Sequence, residues 1–466
     1  MILHILYVGL VVVLLFGATV FVHELGHFLA ARWFGMVVEV FSIGFGPAIW
    51  QRKLRGVCYK IGIVPVGGYV SLPQMDPEAA GEQLSESKSD ESAPRVLPPV
   101  SPWHKIVVAL AGGAGNLLLA VLLAWIVYLV GKPSMPAERS ALIGFVTTNT
   151  PAWDAGLRPG DEILAVNGRT VANWHEVLQE NALVDETLLE VRDPAGIREV
   201  ALATERTMLG FRMVPGLREV GLCRVMSVEP DSSAAAAGLL PGDLIVEFDG
   251  VRVLSIEQLI LLVSARPEQQ APIVVERDGR PLEVPVVPRF DPETGRARIG
   301  VRFDPMAVDY DQMVHIPPSV QLRSHATGIL RVLRALLTPR EARATSEGLA
   351  GPIMILYLFQ DMVRKGLVVA LWFTCFLNVN LAILNLVPLP VLDGGHVLFA
   401  LLERIRGKPL SRRFVGWISQ LCFGLLIAVF LLLSLRDVRR IYRMVHIFRA
   451  APAEQAAPEE DSGENP

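Results

Sequence analysis

Hydrophobic and polar positions divide this chain into four long apolar runs and the polar segments between them. Ile5–Val22 holds 18 consecutive residues without a charge, about 27 Å of helix at 1.5 Å per residue and close to the hydrocarbon thickness of a bilayer. Apolar character continues to about Leu29. The second run is Ile106–Val130, preceded by His104-Lys105. The third is Leu367 to about Leu386, after Arg364-Lys365. The fourth is Phe414–Leu435, between Arg412-Arg413 and Arg436. Each predicts a membrane-spanning helix.

Two polar stretches carry patterns of their own. Between the first two runs, Val38–Gly46 and Tyr59–Val64 are β-rich with glycine breaks, and they predict hairpins. They are too apolar for a plain surface loop. Non-helical backbone at membrane depth survives only against protein or a wet cavity, so the ribbon is expected to lie against whatever the first span holds. Between the second and third runs there is an internal repeat. Gly156-Leu157-Arg158-Pro159-Gly160-Asp161 recurs 82 residues later as Gly238-Leu239-Leu240-Pro241-Gly242-Asp243. Each copy continues as an apolar strand and an Asn-Gly or Asp-Gly turn. A helix-like stretch follows, Trp174–Glu180 and Ile256–Ala265. The offset is the size of a domain, and each copy resembles a PDZ domain. That resemblance implies a small β-barrel whose groove takes extended peptide by strand addition.

Composition agrees with a membrane protein of several domains. The 466 residues are 52% hydrophobic, and the net charge of −4 gives no argument for nucleic-acid binding. Cys58, Cys223, Cys375 and Cys422 are scattered without a CxxC, so neither a disulfide framework nor a cysteine zinc site is implied. Basic residues cluster in the loops after span one and before span four, which places both in the cytoplasm, the termini outside and residues 133–365 extracytoplasmic. Arg436, Arg439, Arg440 and Arg443 argue the other way, but the first span usually dominates.

The chemistry begins at His23-Glu24-Leu25-Gly26-His27, at the end of the first run. Histidines at i and i+4 share a helix face and can bind one metal ion, and the Glu beside the first can take a proton from water. Interfacial histidines or a signal peptide would be blander explanations; the segment lacks a basic n-region, which disfavours the second. A catalytic zinc typically has three protein ligands. Asp393, in the Asp-Gly-Gly segment that closes span three, lies at the same predicted face and depth and is the best third candidate; His396 is its rival. Asn380 and Asn385, in the same span, each need a partner in lipid, from another helix or from substrate backbone. Asn116, after Gly112-Gly113-Ala114-Gly115, is expected to serve close packing.

Taken together, the His-Glu-x-x-His, the Asn-x-x-Pro-x-Pro-x-Leu-Asp-Gly at Asn385–Gly394 and the PDZ-like pair between spans two and three resemble the site-2 protease family of intramembrane zinc metalloproteases. Leu349-Ala350-Gly351-Pro352-Ile353 is similar to the segment before that family's third span. The resemblance implies that His23, His27 and Asp393 bind Zn2+, that Glu24 is the catalytic base, and that Asn380 and Asn385 position substrate. It also implies that the ribbon guides substrate, and that substrates are single-pass membrane proteins of the bacterial inner membrane, such as a pre-trimmed anti-sigma factor, and remnant signal peptides. Membrane lipid and peptide at the PDZ-like grooves are the other expected partners. A silent PDZ scaffold or membrane chaperone is the alternative, disfavoured by the intact Glu24; a metal-ion transporter is disfavoured by having only four spans.

The expected architecture is a polytopic α-helical membrane protein with four transmembrane helices, a membrane-associated β-ribbon and two tandem PDZ-like β-rich domains. Its expected order is span one with the His pair (1–36), ribbon (37–72), disordered linker (73–102) and span two (103–132). PDZ-like domains (138–215 and 216–305) and connecting helices (306–363) follow, then span three (364–396), span four (412–436) and a disordered tail (450–466). The acidic insert 73–102 departs from the family pattern.

Overall fold

The computed structural model describes residues 2–447, except 76–99, 182–183, 207–211, 293, 305–306, 340–341, 343–344, 347–348 and 409. The central part of the expected linker and the expected tail therefore lie outside the described residues. The chain divides into two compact units, one of Met1–Lys132, Val314–Leu337 and Ala350–Asp437, the other centred on Pro133–Met313.

The helical unit is built from α1 (Ile2–Trp33), α2 (Pro102–Val130), α3 (Pro318–Leu337), α4 (Pro352–Arg364), α5 (Leu367–Leu384), α6 (Asp393–Arg406) and α7 (Arg412–Ile447). Among the described residues four helices, α1, α2, α5 and α7, are long and apolar enough to cross a membrane. Small residues bring them together. A Cβ on Gly26 of α1 would sit 2.2 Å from the Ala111 carbonyl oxygen of α2, and one on Gly115 would sit 2.7 Å from that of Val22. Backbone approaches this close are how spans pack where no hydrophobic effect drives them together. α2 and α5 meet through buried Ala120, Leu123, Ala124, Cys375 and Val379. Between α1 and α5, Asn378 donates to the Thr19 hydroxyl (2.9 Å) and the Thr374 carbonyl (2.8 Å). Near its C-terminal end, α7 contributes Asp437, 2% exposed, which accepts from the backbone N–H of Gly351 and Met354 at 3.0 and 2.9 Å. It thus satisfies two of the free donors at the start of α4.

The ribbon consists of β1 (Val40–Leu54) and β2 (Val57–Ser71). It is more than a hairpin. Val40–Ile43 is paired twice, with Cys58–Ile61 on one side and with Gly68–Ser71 on the other. Both strands fold back at their glycines, Gly44 and Gly46 in β1 and Gly67 in β2, all at positive φ. Phe41 and Tyr59 pack on Phe28 of α1, with Val57, Leu72 and Val108 in the same core. Trp50, Ile49 and Ile63 stay exposed.

The other unit holds two β-rich domains, each with its own core. The first is organised on the strands Glu162–Val166, Glu186–Asp193 and Gly196–Ala203, around Ile163, Leu189 and Trp174. Its last strand, Leu217–Glu219, pairs with Ile143–Val146, and Leu217 belongs to the same core. The first domain therefore extends past the expected boundary at residue 215, which would cut this pairing. In the second, Leu244–Phe248 lies between Cys223–Val228 and Ala271–Arg277, and Val301–Phe303 closes the far edge. The repeat gives both domains an Asp in the same turn that accepts the backbone N–H three residues before it, from Arg158 to Asp161 and from Leu240 to Asp243, but the two differ in their arginine. Asp243 takes both oxygens to the Arg277 guanidinium at 2.7 Å, whereas in the first domain the guanidinium of Arg198 is turned to Asp193.

Candidate metal centre

His23 and His27 sit one helical turn apart on α1, as the i, i+4 spacing requires. Their Nε2 atoms are 3.2 Å apart. Asp393, the first residue of α6, places Oδ2 3.3 Å from His23 Nε2 and Oδ1 3.4 Å from His27 Nε2. Among the described residues these three form a group of possible ligands whose atoms lie within 4.8 Å of one another. Oδ2 of Asp393 is buried with no hydrogen-bond partner there. His396, three residues along α6, is not part of the group.

The approach of Asp393 depends on the chain around it. α5 ends at Leu384, and the Asn385 carbonyl accepts the Gly394 N–H at 2.6 Å. The intervening Pro-x-Pro loop folds back so tightly that a Cβ on Gly394 would lie 2.3 Å from the Val387 oxygen, and one on Gly395 2.3 Å from that of Leu389. The two glycines after Asp393 are thus a geometric requirement, since no side chain fits there.

The tightest approach to the histidines comes from α2. A Cβ on Gly112 would stand 2.2 Å from His27 Nε2 and 2.8 Å from His23 Cε1. The same helix supplies two polar contacts. The Val108 carbonyl accepts His27 Nδ1–H at 2.8 Å, and the Asn116 amide lies 3.3 Å from His23 Nδ1. Asn116 is 1% exposed. The expectation that it serves packing alone is corrected: packing belongs to the glycines beside it, and Asn116 faces a histidine of the site.

Glu24 is 8% exposed. A Cβ on Gly68 of β2 would lie 3.0 Å from its Cγ. The inner strand of the ribbon therefore borders the candidate base. The Asn380 carbonyl oxygen is buried without a hydrogen-bond partner among the described residues, and Asn385 ends α5. Asn378, which the sequence reading passed over, is the fully buried amide of this span.

The donor set suits zinc. Ligands about 2.0–2.1 Å from a tetrahedral centre stand about 3.3 Å from one another, which matches the 3.2, 3.3 and 3.4 Å separations found here. Two imidazoles and one carboxylate leave a fourth position open, the pattern of a catalytic site.

Comparison with known proteins agrees with this geometry. The model of peptidase family M50 matches residues 11–429. The regulator of sigma-E protease RseP of Escherichia coli (strain K12) is 29% identical over 451 residues, covering 91% of this chain and 97% of that protein. A protein of Xylella fastidiosa (strain 9a5c) whose name is that of a zinc metalloprotease is 31% identical over 422 residues, covering 85% and 91%. Among solved structures, the PDZ domain of an SdrC-like protein of Listeria monocytogenes is 26% identical over 18% of this chain and 90% of that one, with a TM-score of 0.17.

Proposed function

This chain belongs to peptidase family M50, the site-2 proteases, and is a zinc-dependent membrane protease; from that premise we propose that His23, His27 and Asp393 hold the zinc and Glu24 is the catalytic base. The observation that carries the reading is the near-equal spacing of the three donor atoms. When bound, the zinc supplies Lewis-acid chemistry, acidifying water and polarising a carbonyl. Glu24 takes the proton of the attacking water and later returns it to the leaving amine. A substrate helix makes its backbone hydrogen bonds internally, so it must unwind before attack. The ribbon beside Glu24 offers an extended segment strand pairing, and Asn380 and Asn385 hold its backbone.

The substrate is a single-pass membrane segment already trimmed outside. The Escherichia coli relative is named a regulator of sigma-E protease, which supports an anti-sigma factor as the first substrate class, and remnant signal peptides are a second class. In this reading the protein sits in the bacterial inner membrane, with termini and the two PDZ-like domains extracytoplasmic; the support is four helices long and apolar enough to cross a membrane. Span four supports contact with lipid, since none of its most apolar window is buried. The tandem PDZ-like domains take extended peptide and exclude substrates with bulky outer domains.

The test is cleavage of a model single-pass peptide by purified, zinc-loaded protein. Glu24→Gln should keep its zinc and lose cleavage, because the amide fits but cannot accept the proton. Appreciable turnover by that variant would remove Glu24 from the mechanism. For the filter, deletion of about residues 140–305 with a flexible linker should preserve zinc binding and admit untrimmed substrate. A deletion protein that still refuses untrimmed substrate would favour a docking role for these domains instead.

A further inference from the structure

The two histidines are served unequally by α2. A histidine that binds metal through Nε2 carries its proton on Nδ1, and that proton needs an acceptor. For His27 the acceptor is the Val108 carbonyl at 2.8 Å. His23 Nδ1 faces the amide of Asn116, whose Nδ2 lies at 3.3 Å, while the Asn116 Oδ1 is buried without a hydrogen-bond partner among the described residues. An amide nitrogen opposite a protonated ring nitrogen sets donor against donor. A half-turn of the amide removes this clash, bringing Oδ1 to His23 Nδ1 and Nδ2 to the place where Oδ1 finds no partner. The two ends of an amide have the same shape, so the cavity permits the turn.

We propose that Asn116 is a positioning residue for the metal centre: its side-chain carbonyl accepts the His23 Nδ1 proton, holding that imidazole with Nε2 toward Asp393 and His27. The inference rests on the zinc reading above. It assigns Asn116 a role that no packing contact can supply. Gly112, one helical turn before Asn116, lets the helix approach the ligands; Asn116 then fixes the ring that the approach exposes. Removing such an outer partner of a metal-bound histidine typically weakens metal affinity about 10–100-fold.

The experiment measures zinc affinity of the full-length protein in detergent by competition with a chromogenic chelator. The visible spectrum of the cobalt-substituted protein is recorded in parallel. Asn116→Leu, of similar size but without an acceptor, should bind zinc about 10–100-fold more weakly. It should also alter the cobalt bands. Asn116→Asp keeps an acceptor at the same place and should bind zinc within a few-fold of the wild type. If the Leu variant does not accumulate folded, Asn116→Ala serves the same comparison. Wild-type affinity in the Leu or Ala variant overturns the proposal, and so does equal loss in the Asp variant, which would mean that only shape matters. Failure of the zinc reading itself would appear separately, as a wild-type protein that binds no zinc.

Discussion

Replacing Gly112 by Ala tests whether the site is held open by the approach of α2. The added methyl would stand 2.2 Å from His27 Nε2 and 2.6 Å from its Cε1, and 2.8 Å from His23 Cε1. That is the space in front of the proposed ligand atom. Relief requires either the helix or the ring to move until the contact reaches about 3.4 Å, a shift of about 1.2 Å. If α2 retreats, it loosens its seats at Gly26 and Gly115. If the ring swings, it breaks the Nδ1–H bond to Val108. Overpacking of this kind costs about 1–3 kcal/mol, equivalent to about 5–150-fold in an equilibrium constant. The neighbouring Gly113→Ala is the control, because its methyl would meet the Ala382 oxygen at an ordinary 3.5 Å. Zinc affinity and peptide cleavage of the two purified variants are the assay. Gly112→Ala should weaken zinc binding and abolish most cleavage, and Gly113→Ala should resemble the wild type. Wild-type zinc affinity in Gly112→Ala, or equal damage in Gly113→Ala, would refute the reasoning.

Two further expectations concern the support of the fold. Asp437→Ala leaves the N–H groups of Gly351 and Met354 buried without their acceptor; the loss of about 1–3 kcal/mol should appear as faster hydrogen exchange at the start of α4 and lower thermal stability, and unchanged exchange there would show that the contact carries no stability. In the second β-rich domain burial pushes the Asp243 carboxyl up, but Arg277 and the Leu240 N–H more than offset it, leaving it below the ordinary range. In the first, burial raises Asp161 and the Arg158 N–H only partly offsets this. A depressed folded carboxylate contributes stability above its unfolded pKa that is lost as pH falls through the folded one. A raised one does the reverse, favouring the fold as pH falls. Domain-resolved hydrogen exchange from pH 6 to pH 3 should therefore show the second domain losing protection before the first, and Asp243→Asn should flatten that difference; the opposite order would sink the assignment.

The chain announces some of this site and conceals the rest for identifiable reasons. Two histidines four residues apart state their common face through helix geometry alone. Asp393 could be matched to them because a span ending at the same face brings its closing turn to the same depth. What a single apolar span cannot state is which of its faces meets which neighbour. Asn378 and Asn380 lie on nearly opposite faces, about 200° apart around α5. Their sequence context is equally apolar, yet Asn378 is the one joined to Thr19 of α1. Asn116 was hidden in the same way: a glycine-rich stretch signals close approach but not what is approached. The ribbon's strands were legible from glycine-broken β-rich runs, while the double pairing of Val40–Ile43 depends on contacts up to about thirty residues apart. The last strand of the first β-rich domain has three residues and returns to pair with a strand more than seventy positions earlier, so no local period betrays it. Local pattern thus marks the candidate ligands and the candidate base, and tertiary contact decides which polar neighbours meet them. That division explains why the residues most in need of mutation now are Gly112 and Asn116: neither is a ligand or a base by its own chemistry, and both matter only through what α1 places against them.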